Sequence, residues 1–263
     1  PAGTQTLSKG PSQFVNGVAP KYLERAQGSR VWDVDGNEYI DYPMSLGALP
    51  LGYNHPAVQD AMARQLRDGV SFSLMHPLEV EVAELLLAAV PWAQMIRFGK
   101  AGSDATSVAV RLARAVTGRD MVLHCGYHGW HDWYVASTNR NAGVPEAVAA
   151  LQASFPFNDA AALAEILDTY RGRVAAVIME PYIVTEPASG FLEGVRELTR
   201  SHGAMLIFDE VVSGFRYRWG PAHELFGVTP DLICFGKAIA NGMPLSAIAG
   251  PRQIMRLLED DVF

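Results

Sequence analysis

The stretch FDEVVSGFRYRWGPAHELFGVTPDLICFGKAIANGMP, residues 208–244, contains the pattern on which the fold prediction rests. One apolar run ends in two acids, Asp209 and Glu210, and a second run, LICF, is followed by Gly236 and Lys237. Short, continuous apolar runs are typical of buried strands. A carboxylate and an amine therefore lie at the ends of predicted strands, although solvated loop charges would give the same pattern.

The same alternation of short apolar runs and longer amphipathic segments covers the chain from Met95 onward. The predicted strands are MIRFG, MVLHCG, VAAVIME, AMLIFDE and LICFG, and the predicted helices are SDATSVAVRLARAVTG, AAALAEILDTYRG and EGVRELTRSHG. This order predicts an α/β fold with a mostly parallel sheet and helices on both of its faces.

The beginning of the chain has a different pattern. The turn Asp35-Gly36-Asn37 separates two runs with apolar alternation, which indicates a β-hairpin. Two helices are predicted to follow, one ending near Asp68 with Asn54 as its N-cap and one over residues 77–90. The predicted organisation is an N-terminal segment, residues 1–55, and a large domain, residues 56–263.

The composition argues against several classes of protein. With 263 residues, 49% of them hydrophobic and 19% charged, the chain can bury a substantial core. The net charge of −7 includes no basic run suited to a phosphate backbone. The apolar runs are shorter than the ~18 residues typical of a membrane span, and the two cysteines lie in contexts typical of buried thiols. We expect a soluble, cytoplasmic protein without nucleic-acid or membrane partners.

Three chargeable residues, Glu180, Asp209 and Lys237, are placed at or just after the ends of predicted strands. In an open α/β sheet, the ligand crevice lies outside the carboxyl ends of the strands. We therefore expect these side chains to converge on one edge of the sheet, which favours a site over scattered loop charges.

A segment of small residues, Gly99-Lys100-Ala101-Gly102-Ser103-Asp104, joins a predicted strand to a predicted helix. Free backbone N–H groups at a helix start, helped by the helix dipole, can bind a phosphate. Turns rich in Gly and Ser also occur for purely steric reasons, and neither the GxGxxG nor the P-loop pattern is present here.

An aromatic segment around Tyr127 follows another predicted strand. Tyr127 could stack on a planar ligand. His128 and His131 could suggest a metal, but no second cluster of soft ligands supports one, so no metal site is predicted. Simple packing within the loop stays a competing explanation for Trp130 and Trp133.

A phosphate-binding turn, a stacking aromatic ring, a carboxylate and a lysine are together the parts needed to hold pyridoxal 5′-phosphate (PLP). The lysine forms a Schiff base with the aldehyde, and the carboxylate keeps the pyridine nitrogen protonated. Such a lysine must lose its proton, which burial beside another positive charge promotes.

These motifs resemble those of class III PLP-dependent aminotransferases of fold type I, and most closely the glutamate-1-semialdehyde aminomutase-like branch. The matching segments cover most of the chain: Trp32–Gly36, Leu51–Pro56, Gly102–Thr106, Arg111–Arg114, Tyr127–Gly129, Glu180-Pro181, Asp209–Val211 and Gly236-Lys237. The resemblance implies cofactor binding by Gly102, Ser103, Asp104, Tyr127, Glu180, Asp209, Val211 and Lys237, and catalysis by Lys237, Asp209 and Tyr127.

The resemblance also implies individual roles. Lys237 would form the Schiff base and then move a proton, and Asp209 would face the ring nitrogen. Val211 and Tyr127 would lie on opposite faces of the ring. Asp104 stands where a glutamate is usual in the family, and it is suited to serve the helix N-terminus rather than the ligand.

Some positions depart from the family pattern. Lys100-Ala101 replace small polar residues, Leu46 replaces the tryptophan expected of a true aminomutase, and residues 182–186 lack that enzyme's Gly-Asn pattern. Because these changes line the expected substrate side, they argue against aminomutase activity itself. Family members also continue past the lysine into a small C-terminal domain, which we expect to be absent here.

We predict an aminotransferase that takes an amino group from a small-molecule amino donor and passes it to an aldehyde or ketone acceptor. The family default is a homodimer. An intramolecular aminomutase, a truncated non-catalytic partner subunit and a nicotinamide dehydrogenase are the alternatives, the last without a glycine fingerprint to support it.

Overall fold

The computed structural model describes Thr4 and residues 7–10, 13–15, 17–182 and 184–259. The chain forms two compact units, Pro1–Ser73 and Leu74–Phe263. Within the described ranges, no helix is both long and apolar enough to cross a lipid bilayer.

The first unit contains an antiparallel three-stranded sheet in the order β1-β2-β3. Its strands are β1 (Leu23–Gln27), β2 (Arg30–Asp33) and β3 (Glu38–Ile40), and β2 and β3 form the predicted hairpin. The Asp33 carboxylate organises the turn by accepting hydrogen bonds from Asn37 N at 2.8 Å and from the Tyr39 hydroxyl at 2.9 Å. Hydrogen bonding from the Asn37 side chain is the main reason why the pKa of Asp33 is lowered.

Two helices complete the first unit, α1 (Met44–Gly47) and α2 (Pro56–Asp68). The prediction of Asn54 as the N-cap of α2 is wrong, because the capping position is His55, whose extended backbone is the usual conformation before a proline. Asn54 instead adopts a left-handed φ of 50° and donates a hydrogen bond to Ala26 O at 2.7 Å.

The second unit is built on a seven-stranded sheet in the order β4-β10-β9-β8-β7-β5-β6. Its strands are β4 (Met95–Gly99), β5 (Met121–Cys125), β6 (Gln152–Ser154), β7 (Val174–Met179), β8 (Met205–Glu210), β9 (Leu232–Phe235) and β10 (Ser246–Gly250). Neighbouring strands from β6 to β9 are parallel, and β10 is antiparallel to both β9 and β4. The predicted mostly parallel sheet is confirmed.

Helices follow most strands of this unit. They are α3 (Pro77–Ala89), α4 (Gly102–Thr117), α5 (Asp132–Val135), α6 (Glu146–Ala149), α7 (Ala160–Thr169), α8 (Phe191–His202) and α9 (Arg252–Met255). Short 3₁₀ turns occupy Leu7–Lys9 in the first unit and Ala222–Leu225, Lys237–Ala240 and Arg256–Leu258 in the second.

Apolar side chains bury both faces of the sheet. On one face, α4 packs Leu112 and Ala113 into a cluster that includes Ile207 of β8. On the other face, α7 and α8 pack into a cluster that includes Leu206 and Phe208 of the same strand. The predicted helices on both faces are therefore confirmed. Since successive strand residues point to opposite faces, Asp209 belongs to the α4 face and Glu210 to the opposite one.

A partly buried ion pair lies at the amino ends of β8 and β9, and its removal tests the stability of this part of the sheet. Arg196 donates to both oxygens of the Asp231 carboxylate, at 2.7 and 2.8 Å, and Leu206 N donates to the same carboxylate at 2.7 Å. We expect Asp231→Ala to lower the free energy of unfolding by roughly 2–3 kcal/mol, because it leaves a mostly buried guanidinium and an amide without their acceptor.

Urea denaturation measures this change. The control is Glu259→Ala, whose carboxylate and whose partner Arg256 are both exposed, and its stability should stay close to that of the parent. A loss in Asp231→Ala no larger than that of the control would contradict the assignment.

Candidate active site

The carboxyl ends of β7, β8 and β9 bring the three predicted residues to one edge of the sheet. Glu180 directly follows β7, Asp209 is the second-last residue of β8, and Lys237 comes two residues after the end of β9. Both carboxylates are buried, and both act electrostatically on the Lys237 amine. The structure thus gathers onto one edge the charges that the sequence placed at separate strand ends.

The start of α4 packs tightly against the same edge. A Cβ atom on Gly102 would lie 2.8 Å from a methyl group of Val211, and a Cβ atom on Gly236 would lie 3.1 Å from it. Both contacts are closer than ordinary packing tolerates. Val211 therefore packs between the start of α4 and the backbone beside Lys237.

The first turn of α4 offers two free donors. The amides of Asp104 and Ala105 bond to the Ala101 carbonyl. The amides of Gly102 and Ser103 are then left without an acceptor in the part of the chain that the structure describes. Two N–H groups at the positive end of a 16-residue helix suit a phosphate.

The neighbouring side chains shape this turn. The Asp104 carboxylate accepts hydrogen bonds from Ala101 N at 2.7 Å and Lys100 N at 3.1 Å, so these bonds organise the backbone before the helix. Ser103 is buried against Gly129, where a Cβ atom would lie only 2.2 Å from the Ser103 hydroxyl.

Tyr127 lies beside Glu180. Its amide donates to Glu180 Oε2 at 3.1 Å, and its ring, 63% exposed, meets the ring of Tyr134 edge to face. The exposed ring leaves a face open to a planar ligand. The packing explanation holds for Trp133, which is buried and donates to Ser107 Oγ at 3.0 Å, whereas Trp130 is exposed.

His128 is a residue whose position the sequence did not reveal. Its Nδ1 lies 2.8 Å from Asp209 Oδ2 and its Nε2 lies 3.1 Å from the Cys125 carbonyl, and the imidazole is buried. A carbonyl can only accept, so Nε2 carries a hydrogen, and a second proton lies between Nδ1 and the carboxylate. Because Val211 N donates to the other carboxylate oxygen at 3.1 Å, Asp209 is fixed in orientation.

The only sequence signal for this contact is the Tyr-His-Gly motif after β5, whose histidine could equally suggest a metal ligand. His128 follows β5 and Asp209 lies in β8, 81 residues further along the chain, so their pairing depends on the order of strands in the sheet.

The environment favours a neutral amine on Lys237. Burial lowers the pKa of Lys237, the charge of Arg216 lowers it further, and Asp209 and Glu180 oppose the change. Burial is likewise the main cause that raises the pKa of Glu180. Lys237 also holds a left-handed φ of 42°, a conformation that costs a side-chain-bearing residue about 1 kcal/mol or more. A strained backbone and a depressed amine pKa are typical of a reactive lysine.

This geometry agrees with a family model described as "Aminotransferase class-III", which matches residues 15–261. The chain belongs to the class III aminotransferases.

Curated relatives of this class III aminotransferase chain include glutamate-1-semialdehyde 2,1-aminomutase of Chloroflexus aurantiacus, which is 44% identical over 92% of this chain. They also include 3-aminobutyryl-CoA aminotransferase of Cloacimonas acidaminovorans, 39% identical over all of it. The chain covers 58% of the length of the first and 64% of the second.

Among solved structures, the FumI protein of Sphingopyxis sp. MTA144, in its PLP internal aldimine form, is similar with a TM-score of 0.89 and 32% identity. That alignment covers 95% of this class III chain and 62% of FumI. The fold that the resemblance implied, the fold type I arrangement, is confirmed.

The depressed pKa of Lys237 makes the stability of the cofactor-free chain depend on pH. Between this lowered pKa and the ordinary value of 10.5, the unfolded chain binds the proton and the native chain does not, so stability rises with pH in that window. We expect Lys237→Met to be more stable than the parent at neutral pH, because it removes the desolvation cost that lowers the pKa of this partly buried amine, and the difference should shrink as pH rises toward 10.5.

Urea unfolding at a series of pH values measures both curves. The matched control is Lys100→Met, because Lys100 follows the same Phe-Gly dipeptide but is exposed. A difference between Lys237→Met and the parent that does not change with pH would contradict the burial of the charge.

Proposed function

We propose that this class III aminotransferase binds PLP at the carboxyl edge of the sheet and moves an amino group from an amino donor to an aldehyde or ketone acceptor. The observation that carries the proposal is the convergence of a partly buried amine, an oriented carboxylate and two free helix-start amides on one edge. Solved relatives with PLP in their names support the choice of cofactor.

The residues present fit each part of this cofactor. The amides of Gly102 and Ser103 would bind the phosphate, and the space between Val211 and the exposed ring of Tyr127 would take the pyridine ring. When bound, PLP supplies an aldehyde that takes up an amino group and a ring that draws electrons from the substrate.

Lys237 has two tasks in this proposal. With PLP bound, its Nζ would bond to the aldehyde carbon, and a depressed amine pKa favours this role because only an unprotonated amine can bond to carbon. The same Nζ would take a proton from the substrate Cα and return it. Both tasks require Nζ to give up a proton, and burial favours this by lowering the pKa of Lys237.

Asp209 and His128 would keep a proton at the ring nitrogen of PLP. The Asp209 carboxylate would accept a hydrogen bond from the ring N–H, and its hydrogen bonds with His128 Nδ1 and Val211 N hold it in place. Glu180 accepts a hydrogen bond from the backbone amide of Tyr127, so we assign to Glu180 the role of orienting the Tyr127 ring.

We also propose a homodimer in the cytoplasm. Helix α3 exposes Leu78, Val80 and Leu85, which a second subunit would cover. The two free cysteines, Cys125 and Cys234, are both buried, which suits a reducing compartment.

An intramolecular aminomutase is the second candidate, favoured by the 44% identity to glutamate-1-semialdehyde 2,1-aminomutase. There the donor and the acceptor are the same molecule. Leu46 and residues 182–186, which depart from the aminomutase pattern, favour the aminotransferase.

Borohydride trapping tests the cofactor site. The sequence contains four lysines, Lys9, Lys21, Lys100 and Lys237, so peptide mass spectrometry can distinguish every possible amine. After incubation with PLP and reduction, we expect a pyridoxyl group on the Lys237 peptide in the parent and in Lys100→Ala. We expect its loss in Lys237→Ala.

Labelling spread equally over all the lysines, or concentrated on Lys100, would refute the assignment of Lys237.

Isotope transfer separates the two candidate reactions. With a ¹⁵N-labelled amino donor and a separate carbonyl acceptor, an aminotransferase should place ¹⁵N in the product, and omission of the acceptor should stop turnover after one half-reaction. Sustained turnover of a single amino aldehyde without any second substrate would favour the aminomutase instead.

A further inference from the structure

Glu210, the neighbour of Asp209, is completely buried on the opposite face of β8. Its carboxylate accepts three hydrogen bonds: from the amide of Ala222, from the amide of His223 at 2.9 Å and from His223 Nδ1 at 2.7 Å. Burying a charged carboxylate is costly unless donors surround it. These three donors satisfy Glu210 without help from the candidate active site.

A third residue extends this contact. Trp92 Nε1 lies 3.2 Å from His223 Nε2, and the two rings meet edge to face. An indole can only donate, so His223 Nε2 accepts and Nδ1 carries the hydrogen that Glu210 receives. Trp92 therefore donates to His223, and His223 in turn donates to Glu210.

These hydrogen bonds hold together the two ends of a loop. Residues 211–221 leave the end of β8 and return at Ala222, so both ends of this loop are tied to Glu210. We call residues 211–221 the β8 loop. Because three donors converge on one carboxylate, the returning segment, which begins the 3₁₀ turn Ala222–Leu225, is held in one position relative to β8.

The β8 loop contacts the candidate site at several points. Its first residue, Val211, packs against Gly102 and Gly236. Further along, a Cβ atom on Gly214 would lie 2.7 Å from the ring of Phe235, and the Phe215 ring packs against that same ring.

These contacts reach the reactive lysine. Phe235 precedes Lys237 by two residues, and Arg216 of the β8 loop adds its charge to the surroundings of the Lys237 amine, together with Asp209 and Glu180. A displacement of the loop would let water reach Lys237 and would move Arg216 away.

We propose that Glu210, held by His223 and Trp92, is a positioning residue that fixes the β8 loop against Lys237. Glu210 does not touch the reacting atoms and acts through Val211, Phe215 and Arg216. The proposal rests on the proposed function only in taking Lys237 as the reactive amine.

The test measures the pH at which Lys237 loses its proton in the full chain without cofactor. Acetic anhydride labels deprotonated amines, and peptide mass spectrometry gives the extent of labelling at Lys237 at each pH, with Lys9 and Lys21 as internal references. The variants are Glu210→Gln, which cannot accept from all three donors, and His223→Leu, which removes the imidazole.

Two further variants serve as controls. His223→Asn places an amide nitrogen where Nδ1 was, so it can still donate to Glu210. Glu193→Gln changes an exposed carboxylate of α8, outside the β8 loop.

We expect the midpoint of Lys237 labelling to move up toward 10.5 in Glu210→Gln and His223→Leu, and a rise of one pH unit lowers labelling at a given pH about tenfold. His223→Asn and Glu193→Gln should keep the parent midpoint. A midpoint unchanged in His223→Leu, with a lower stability in urea, would overturn the proposal in favour of a purely structural role.

If Glu210→Gln does not fold, the pair His223→Leu and His223→Asn decides the question. Because no cofactor is present, these midpoints can shift as expected even if borohydride trapping with PLP fails on Lys237. Failure of the positioning role and failure of the proposed function are therefore distinguishable.

Discussion

The hydrogen bond between Asp209 and His128 is the interaction on which the site depends. It fixes a buried carboxylate at the end of β8, 2.8 Å from an imidazole supplied by the segment after β5. Strands β5 and β8 are separated in the sheet by β7, which brings Glu180 to the same edge. Only a parallel arrangement of these strands brings all three groups together. The sheet thus determines the chemistry of the site through the order of its strands.

The adjacent acids Asp209 and Glu210 have different roles, the first in the candidate site and the second in the fold. Strand alternation sends Asp209 to the face where α4 begins and Glu210 to the face of α7 and α8. Each acid is paired with a histidine, His128 on one face and His223 on the other. One pair orients a carboxylate toward the candidate cofactor site, and the other ties down the β8 loop that borders it. The Asp-Glu dipeptide at the end of one strand therefore serves both purposes because its side chains point in opposite directions.

Much of the fold could be predicted from apolar runs alone, because β4, β5, β7, β8 and β9 are short, nearly pure apolar segments. Strands β6 and β10 were missed, since QAS is only three residues long and SAIAG consists mostly of small residues. The dipeptide Phe-Gly precedes both Lys100 and Lys237, so the local sequence does not distinguish the two amines. Burial distinguishes them, and the contact of His128 with Asp209 likewise depends on strand order, which local patterns do not encode.

A crystal structure of the chain grown with PLP tests the central claim most directly. The account predicts continuous electron density from Lys237 Nζ to the cofactor, with the ring nitrogen facing the Asp209 carboxylate and the phosphate at the first turn of α4. Density that joins the cofactor to Lys100, or that places it away from the carboxyl ends of β7, β8 and β9, would contradict the account.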